Sequence, residues 1–290
     1  PPLGVAFGID GQALVVTTTE FLLFDPASGS SHTLDTIAGV TAKLLPVTAG
    51  NGPANIVASS MAASGDGHRI FGLLAGGTAD NLTLEFRYDV DLRRLSAFQA
   101  SSTPPLGPRV VSVNHDGSLH LAGWALVDLA GSLVSQFPDP SGILNIGSHV
   151  FDSHRNVVYA QMTGGGAATA GQTSTPLLQI LDPENLRVLD RWILPENLSG
   201  RSLISQDGLT MYSVSESGVT VIPIGDVAAQ PRLLVSHEDV SFRGNFCDRQ
   251  VGTQEITIFD PGGNNTPFQL NSNLAGVSVS PSSGVTPATV

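Results

Sequence analysis

The chain has 290 residues, of which 41% are hydrophobic and 13% are charged, and its formal net charge is −12. This length and hydrophobic share allow a sizeable core and more than one domain, and they exclude a disordered chain. The acidic excess argues against a nucleic-acid partner, because affinity for phosphates depends on lysine and arginine. Cys247 is the single cysteine, so neither an internal disulfide nor a cysteine-based zinc site is expected.

A short strand, a polar turn and a second apolar strand recur five times along the chain, at intervals of about fifty residues. Four of the five turns contain Asp-Gly, and Asn replaces Gly in the fourth. Glycine adopts positive φ freely, and aspartate and asparagine tolerate it, so we predict tight type I′ hairpins at these turns. The turn residues in chain order are Gly11, Gly67, Gly117, Asn156 and Gly208.

A second landmark follows each of the first four hairpins, where a third apolar strand ends in a turn that begins with aspartate. These aspartates are Asp25, Asp89, Asp128 and Asp182. A fourth strand then resumes, and residues 222–226 only approximate the same pattern in the fifth copy. Each repeat is therefore predicted to be a four-stranded sheet, which can bury its apolar faces only against neighbouring repeats.

Two segments carry a resemblance to known repeats. The segment from Ser205 to Tyr212 reads SQDGLTMY, and the segment from Ile180 to Val188 reads ILDPENLRV. Over residues 1–240 the repeats resemble the WD40-like and YVTN-type β-propeller repeats of bacterial surface and secreted proteins. The resemblance implies an all-β propeller of four-stranded blades with an extracellular or cell-surface location. The five visible copies form either a five-bladed ring or part of a ring of six to eight blades.

The last fifty residues, 241–290, lack the hairpin repeat. Residues 254–259 alternate apolar and polar side chains before a turn-rich stretch, and residues 276–284 form a second such segment. This tail resembles the immunoglobulin-like modules of bacterial extracellular proteins. It is expected to be a partial immunoglobulin-like β-sandwich, because a complete one needs about 100 residues. No apolar run approaches the roughly 20 residues of a membrane-spanning helix.

The start of the first strand in each repeat should lie at the mouth of a propeller's central channel. These positions hold Arg109, His149 and Arg201 in the last three repeats, and small residues near Gly4 and Ser60 in the first two. Basic side chains that converge there would form an anion-binding site. The competing interpretation is that they are rim residues that are solvated or paired with acids.

The other polar motifs point to no reaction. His68, His115 and His120 lie beside hairpin turns and are expected to be exposed. No spacing of histidines or acids is typical of a metal site, and no nucleophile motif is present. We therefore predict no catalytic residue, no metal and no cofactor.

Two functions remain open from the sequence. The first is a non-enzymatic binding or scaffold protein that uses the loop face of the propeller to hold a protein or a polysaccharide. The alternative is a hydrolase of the lactonase type, in which Arg109 and Arg201 stabilise an oxyanion and His149 transfers protons. An enzyme is the less favoured of the two, and the oligomeric state is left open.

Overall fold

A computed structural model describes most of the chain in eleven segments. They are residues 1–43, 56–76, 83–101, 110–137, 147–162, 176–225, 231, 233–236, 240–242, 252–260 and 264–290. Contacts divide these residues into two compact units. The first comprises Pro1–Ser205 and Met211–Ile222, and the second comprises Gln206–Thr210 and Pro223–Val290.

The first unit is all-β and consists of five antiparallel sheets that follow one another along the chain. The first sheet contains β1 (Pro2–Phe7), β2 (Ala13–Thr17), β3 (Glu20–Asp25) and β4 (Ser30–Thr36), and a helix, α1 (Ile37–Ala42), follows it. The second contains β5 (Ile56–Ala63), β6 (Arg69–Gly76), β7 (Thr83–Asp89) and β8 (Arg94–Ser101). The third contains β9 (Val111–Val113), β10 (Leu119–Ala122), β11 (Ala125–Asp128) and β12 (Leu133–Gln136). The fourth contains β13 (Ser148–Asp152), β14 (Val157–Met162), β15 (Leu177–Leu181) and β16 (Val188–Ile193). The fifth contains β17 (Leu198–Ile204), β18 (Met211–Ser215) and β19 (Gly218–Ile222). The prediction of repeated four-stranded sheets is thus confirmed for four repeats.

The five predicted hairpin turns are present, but their type differs from the prediction. Gly11, Gly67, Gly117, Asn156 and Gly208 all have positive φ, between 52° and 77°. The residue before each of them does not, so the type I′ prediction is wrong. In the first hairpin the N–H of Gly11 donates to the carbonyl of Gly8, which closes a four-residue turn whose last residue is the left-handed glycine. This pattern is typical of a hairpin loop that is longer than the two-residue type I′ loop and is built on a type I turn. In such a loop only the last turn residue, here Gly11, requires positive φ.

The aspartates of these turns have a role that the type I′ interpretation did not include. In four hairpins a carboxylate oxygen accepts a hydrogen bond from the backbone N–H two residues further on, at 3.0 Å in each case. The four residues are Asp10, Asp66, Asp116 and Asp207. The aspartates of the second landmark also accept backbone N–H groups within their own turns. Aspartate is therefore selected for its side-chain acceptor, which replaces a backbone turn hydrogen bond.

The sheets of the first unit pack in chain order. Strand β1 lies against β5, β5 against β9, β9 against β13, and β13 against β17, so that the first strands of successive sheets are neighbours. Neighbouring hairpins are also joined, because Ile9 donates to the carbonyl of Gly67 at 2.9 Å and Asp66 donates to that of His115 at 2.8 Å. Between the fourth and fifth sheets, the hydroxyls of Ser148 and Ser202 are 2.5 Å apart.

Among the described residues, apolar clusters lie between these sheets. The first joins the first two sheets and α1 through residues that include Phe21, Phe86 and Tyr88. The second joins the second and third sheets around Phe71 and Ala122. The third joins the third and fourth sheets around Trp124, and it includes Leu121 and Phe151. Apolar surface of successive repeats is therefore buried between sheets, as repeats that cannot shelter their own faces require.

The second unit is also built from short strands. One sheet contains β20 (Leu234–Val235), β21 (Thr257–Phe259) and β24 (Ala288–Thr289), and the other contains β22 (Pro267–Gln269) and β23 (Ser283–Val285). Ile224, Ile258 and Phe268 are its buried apolar side chains among the residues described. The hydroxyl of Thr266 donates to the carboxylate of Asp260, and both are buried.

Within the described segments, no helix has both the length and the apolar character needed to cross a bilayer.

Candidate functional site

A cavity of about 310 Å³ lies in the first unit, at the beginnings of several first strands. It is lined by Leu3, Gly4, Val5, Ser59, Ser60, Met61, Val110, Gly200 and Arg201. Three of these residues, Gly4, Ser60 and Arg201, occupy the positions that the sequence predicts to converge. The cavity is therefore the place where the start of β1 meets the middle of β5 and of β17.

Irregular strand pairing shapes the wall of the cavity. The register of β1 shifts between Pro2 and Gly4, and that of β5 shifts between Ile56 and Ala58. The register of β17 shifts between Leu198 and Ser202, where Gly200 has a φ of 127°. A bulge bends a strand and redirects the side chains beside it, which is why bulges are common next to functional sites. The bulge in β17 places Gly200 and Arg201 at the cavity.

Arg201 provides the charge of the cavity. Its side chain forms no ion pair or hydrogen bond with any residue that the structure describes. Partial burial lowers the pKa of its guanidinium below the ordinary arginine value, and the group nevertheless keeps its charge at neutral pH. The cavity therefore contains a cation without a described counter-ion, in a protein whose formal net charge is −12.

Two serines of β5, Ser59 and Ser60, also line the cavity, and because they are adjacent on a strand their side chains leave opposite faces of the second sheet. The oxygen of Ser59 is buried and has no hydrogen-bond partner among the described residues. The oxygen of Ser60 accepts a hydrogen bond from the N–H of Val111 at 3.2 Å, which leaves its own proton available to donate. The Ser59 oxygen lies beside Gly4 of β1, whereas the Ser60 oxygen faces β9, so the two hydroxyls do not converge on one point.

Gly4 allows β1 to approach β5 closely. A Cβ atom at this position would lie 2.7 Å from Sδ of Met61 and 2.9 Å from Oγ of Ser59. Real side chains do not tolerate such distances, so any larger residue would displace Met61 or the Ser59 hydroxyl. Glycine at position 4 therefore maintains the wall on which Ser59 lies.

The other two predicted site residues have different outcomes. His149 is fully buried on β13 and is not among the residues that line the cavity. Its Nδ1 lies 2.7 Å from the hydroxyl of Ser112, and its Nε2 has no partner among the described residues. Burial lowers its pKa to about 4, so the ring is neutral at pH 7. Arg109 lies outside the described residues, and its neighbour Val110 lines the cavity.

The expectation that His120 is exposed is wrong. Its ring is fully buried, stacks on Phe71 with centroids 4.2 Å apart, and bonds through Nε2 to the carboxylate of Glu85. The physical reason is that β10 lies in the third sheet, which is covered on both faces. His120 contacts the second sheet, whereas the adjacent Leu121 packs in the cluster shared with the fourth sheet.

Ser59 and Met61 are site residues that sequence reasoning missed. The available signal was the pair Ser59-Ser60 in the middle of an otherwise apolar strand, where hydroxyl side chains are unusual. Within the described segments, no three or more histidine, cysteine or acidic side chains cluster together. Of the residues that line the cavity, Arg201 is the one that can bind an anion by charge-assisted hydrogen bonds.

Comparison with known proteins adds no assignment, because neither a protein-family model nor a curated protein sequence matches this chain.

Proposed function

We propose that this chain is a non-enzymatic extracellular or cell-surface binding protein built on a β-propeller, with its sheets as the blades. The proposal follows the resemblance of the repeats to WD40-like and YVTN-type sequences. Its main support is that the first strands of five successive sheets are neighbours in chain order. The first strands of the first, second and fifth sheets also border one cavity. A radial stack of blades brings its first strands together in this way.

The two ends of the sheets differ, and the difference favours one of them as the binding face. At one end, tight hairpins are bonded to each other across neighbouring sheets, as between Ile9 and Gly67. At the other end lie the cavity and the strand and helix termini that precede and follow residues 44–55 and 163–175, the longest connections of the first unit. Binding residues are concentrated on variable connections that a rigid scaffold positions. We therefore assign the binding face to the cavity end.

The partner class is a protein or a polysaccharide, and the composition favours a protein. Aromatic residues make up only 6% of the chain, which leaves few rings on which sugars could stack. The titratable group that lines the cavity among the described residues is Arg201, and a lone arginine is neither a general acid nor a general base at neutral pH. These features support binding in preference to turnover.

The test is capture of a partner by the full chain, immobilised and exposed to solubilised envelope from its source cells. Cross-linking with mass spectrometry then locates the contact on the chain. We expect cross-links on residues 44–55 and 163–175, and loss of capture when residues 163–175 are replaced by a Gly-Ser segment of equal length. The matched control, Asp10→Asn at the hairpin end, should retain the partner.

Three outcomes would overturn the proposal. They are capture of no partner by the folded chain, cross-links confined to the hairpin end, and hydrolysis of a lactone that is abolished by Arg201→Gln. The last outcome would establish the lactonase-type alternative in its place.

A further inference from the structure

The fifth sheet has three strands, whereas each of the other four sheets of the first unit has four. In those four sheets the fourth strand pairs antiparallel with the third along its outer edge. Among the described residues, β19 pairs only with β18, so no strand lies along its outer edge. The N–H and C=O groups of such an edge can pair with a further strand.

The segment at the position of the missing strand pairs elsewhere. In the first four sheets the fourth strand begins five or six residues after the aspartate of the second landmark, as Ser30 follows Asp25. The same spacing from Asp226 predicts the fourth strand of the fifth repeat near residues 231–236. The described part of this segment contains β20, which pairs with β21 in the second unit. The described residues of that segment therefore do not complete the edge of β19.

The register of the hairpin between β18 and β19 determines which backbone groups point to this edge. A loop of two residues joins the two strands, so Ser215 and Gly218 form the hydrogen-bonded pair that closes the hairpin. Hydrogen-bonded and non-hydrogen-bonded pairs alternate along an antiparallel ladder. Val219 and Val221 therefore belong to non-hydrogen-bonded pairs, and their N–H and C=O groups point away from β18 towards the outer edge.

The side chains beside this edge are apolar and exposed. Val219 is 65% exposed and Val221 is 57% exposed, and they lie opposite Val214 and Tyr212 on β18. A strand added at the edge would place alternate side chains beside Val219 and Val221 and so continue the two apolar rows. Strand β19 also contains no charged residue, whereas β4, β8 and β16 each contain at least one, which discourages pairing at their outer edges.

We infer that the outer edge of β19 binds an extended segment of a partner protein as a fourth antiparallel strand, with apolar side chains at alternate positions of that segment. The four complete sheets define this occupant, because each has an antiparallel strand of four to eight residues at the equivalent edge. Backbone hydrogen bonds then supply affinity, and the alternate side chains supply specificity. The formal net charge of −12 disfavours a second copy of the chain at this edge, because the two copies repel each other. The inference goes beyond the proposed function, since no residue of β19 lines the cavity.

The probe is a peptide with the sequence of residues 187–194, RVLDRWIL, because it contains β16, the strand that occupies the equivalent edge of the fourth sheet. The peptide is amidated at its C-terminus and labelled with a fluorophore at its N-terminus, and its binding to the full chain is measured by fluorescence anisotropy. We expect saturable binding. The same peptide with N-methylated backbone amides should not bind, because it cannot form a ladder with β19.

Val221→Pro removes an N–H that points to the edge and none that pairs with β18, so the variant should fold and should bind the peptide about tenfold or more weakly. The matched control is Ile193→Pro, on the outer strand of the fourth sheet. Ile193 is also exposed, and its N–H also points outwards, because the N–H of its neighbour Leu194 donates to the carbonyl of Pro176. This control should bind the peptide as the unchanged chain does. Val219→Lys keeps the backbone donor but places a charge beside the edge, and should also weaken binding.

Thermal unfolding shows whether each variant is folded. The absence of saturable binding by the folded chain up to about 1 mM peptide would overturn the inference, as would equal affinity in Val221→Pro and Ile193→Pro. If Val221→Pro does not fold, unchanged affinity in Val219→Lys would overturn it. Two further outcomes would assign the edge to another occupant and so overturn the inference. They are dimerisation of the chain that Val219→Lys abolishes, and peptide binding that requires replacement of residues 231–236 by a Gly-Ser segment.

Discussion

The hydroxyl oxygen of Ser112, on β9, lies 2.7 Å from Nδ1 of His149, on β13, so a buried hydrogen bond joins the third and fourth sheets. His149 has no exposed surface, and burial lowers its pKa from 6.5 to about 4. The unfolded chain therefore binds a proton at a pH where the folded chain does not. The stability that neutral His149 contributes is complete above the unfolded pKa and is lost as the pH falls from about 6.5 towards 4.

This linkage predicts a pH-dependent difference between two proteins. The free energy of unfolding should fall by about 2 kcal/mol between pH 7 and pH 5 through His149. His149→Gln keeps a polar group for Ser112 but cannot be protonated, so its stability should fall less over the same range. Urea unfolding of both proteins at the two pH values measures the effect. Parallel pH profiles would contradict the assignment.

A second buried pair joins the second and third sheets. Glu85 and His120 are bonded to each other and are nearly inaccessible to solvent, and Phe71 covers the His120 ring. Removing one partner leaves the other buried without compensation, so His120→Ala should lower the unfolding free energy by about 3–5 kcal/mol. The double variant Glu85→Leu, His120→Phe should recover most of that loss, because well-packed apolar side chains replace the pair.

Chemical denaturation of the single and double variants, compared with the unchanged chain, provides the measurement for the Glu85–His120 pair. If the double variant is no more stable than His120→Ala, the pair is not the source of the loss.

The hairpin glycines allow a controlled comparison. Gly11 and Gly67 both have positive φ, at 75° and 77°. A Cβ at Gly11 would meet no described atom within 4 Å, whereas one at Gly67 would lie 3.0 Å from the backbone nitrogen of Ile9. Gly11→Ala should cost roughly 1–2 kcal/mol from the left-handed backbone, and Gly67→Ala should cost more because it also strains the contact between hairpins.

Thermal unfolding of the two alanine variants measures the difference between these glycines. Gly11→Asn should be close to neutral, since asparagine tolerates this conformation. Equal losses in Gly11→Ala and Gly67→Ala would show that the approach of Ile9 to Gly67 does not constrain the turn.

One face of the fifth sheet exposes a row of apolar side chains. Tyr212 lies opposite Val221, and Val214 lies opposite Val219, so the four residues form two adjacent cross-strand pairs. Their exposed fractions range from 43% for Val214 to 65% for Val219. A contiguous apolar patch of this kind promotes association and binds hydrophobic dyes.

Replacing Val219 and Val221 by threonine keeps the β-branched shape and adds a hydroxyl. We expect lower dye fluorescence and slower aggregation on heating, with an unchanged midpoint of unfolding. Leu92→Thr, at an exposed residue in a turn, is the control and should change neither property. A lower midpoint in the Val219→Thr, Val221→Thr variant would indicate that the face is covered in solution.

Local sequence was sufficient to locate the turns and strands. The Asp-Gly pairs predicted four of the five repeat hairpins, and Asn156 predicted the other, because positive φ and a side-chain acceptor are properties of individual residues. The type of turn could not be predicted from these residues alone. Whether Asp10 adopts positive φ depends on loop length and strand register, which the dipeptide alone does not fix.

The sequence by itself determined an all-β chain of repeated antiparallel sheets, since alternation and turn chemistry act over a few residues. Only the tertiary structure decided which polar side chains are buried and which meet. His120 and Leu121 are neighbours on one strand, yet both are buried, because the third sheet is covered on both faces. Arg201 reaches the cavity with Ser59 because a bulge and the close approach at Gly4 bring distant repeats together. Such contacts depend on how sheets pack, and no local pattern encodes that packing.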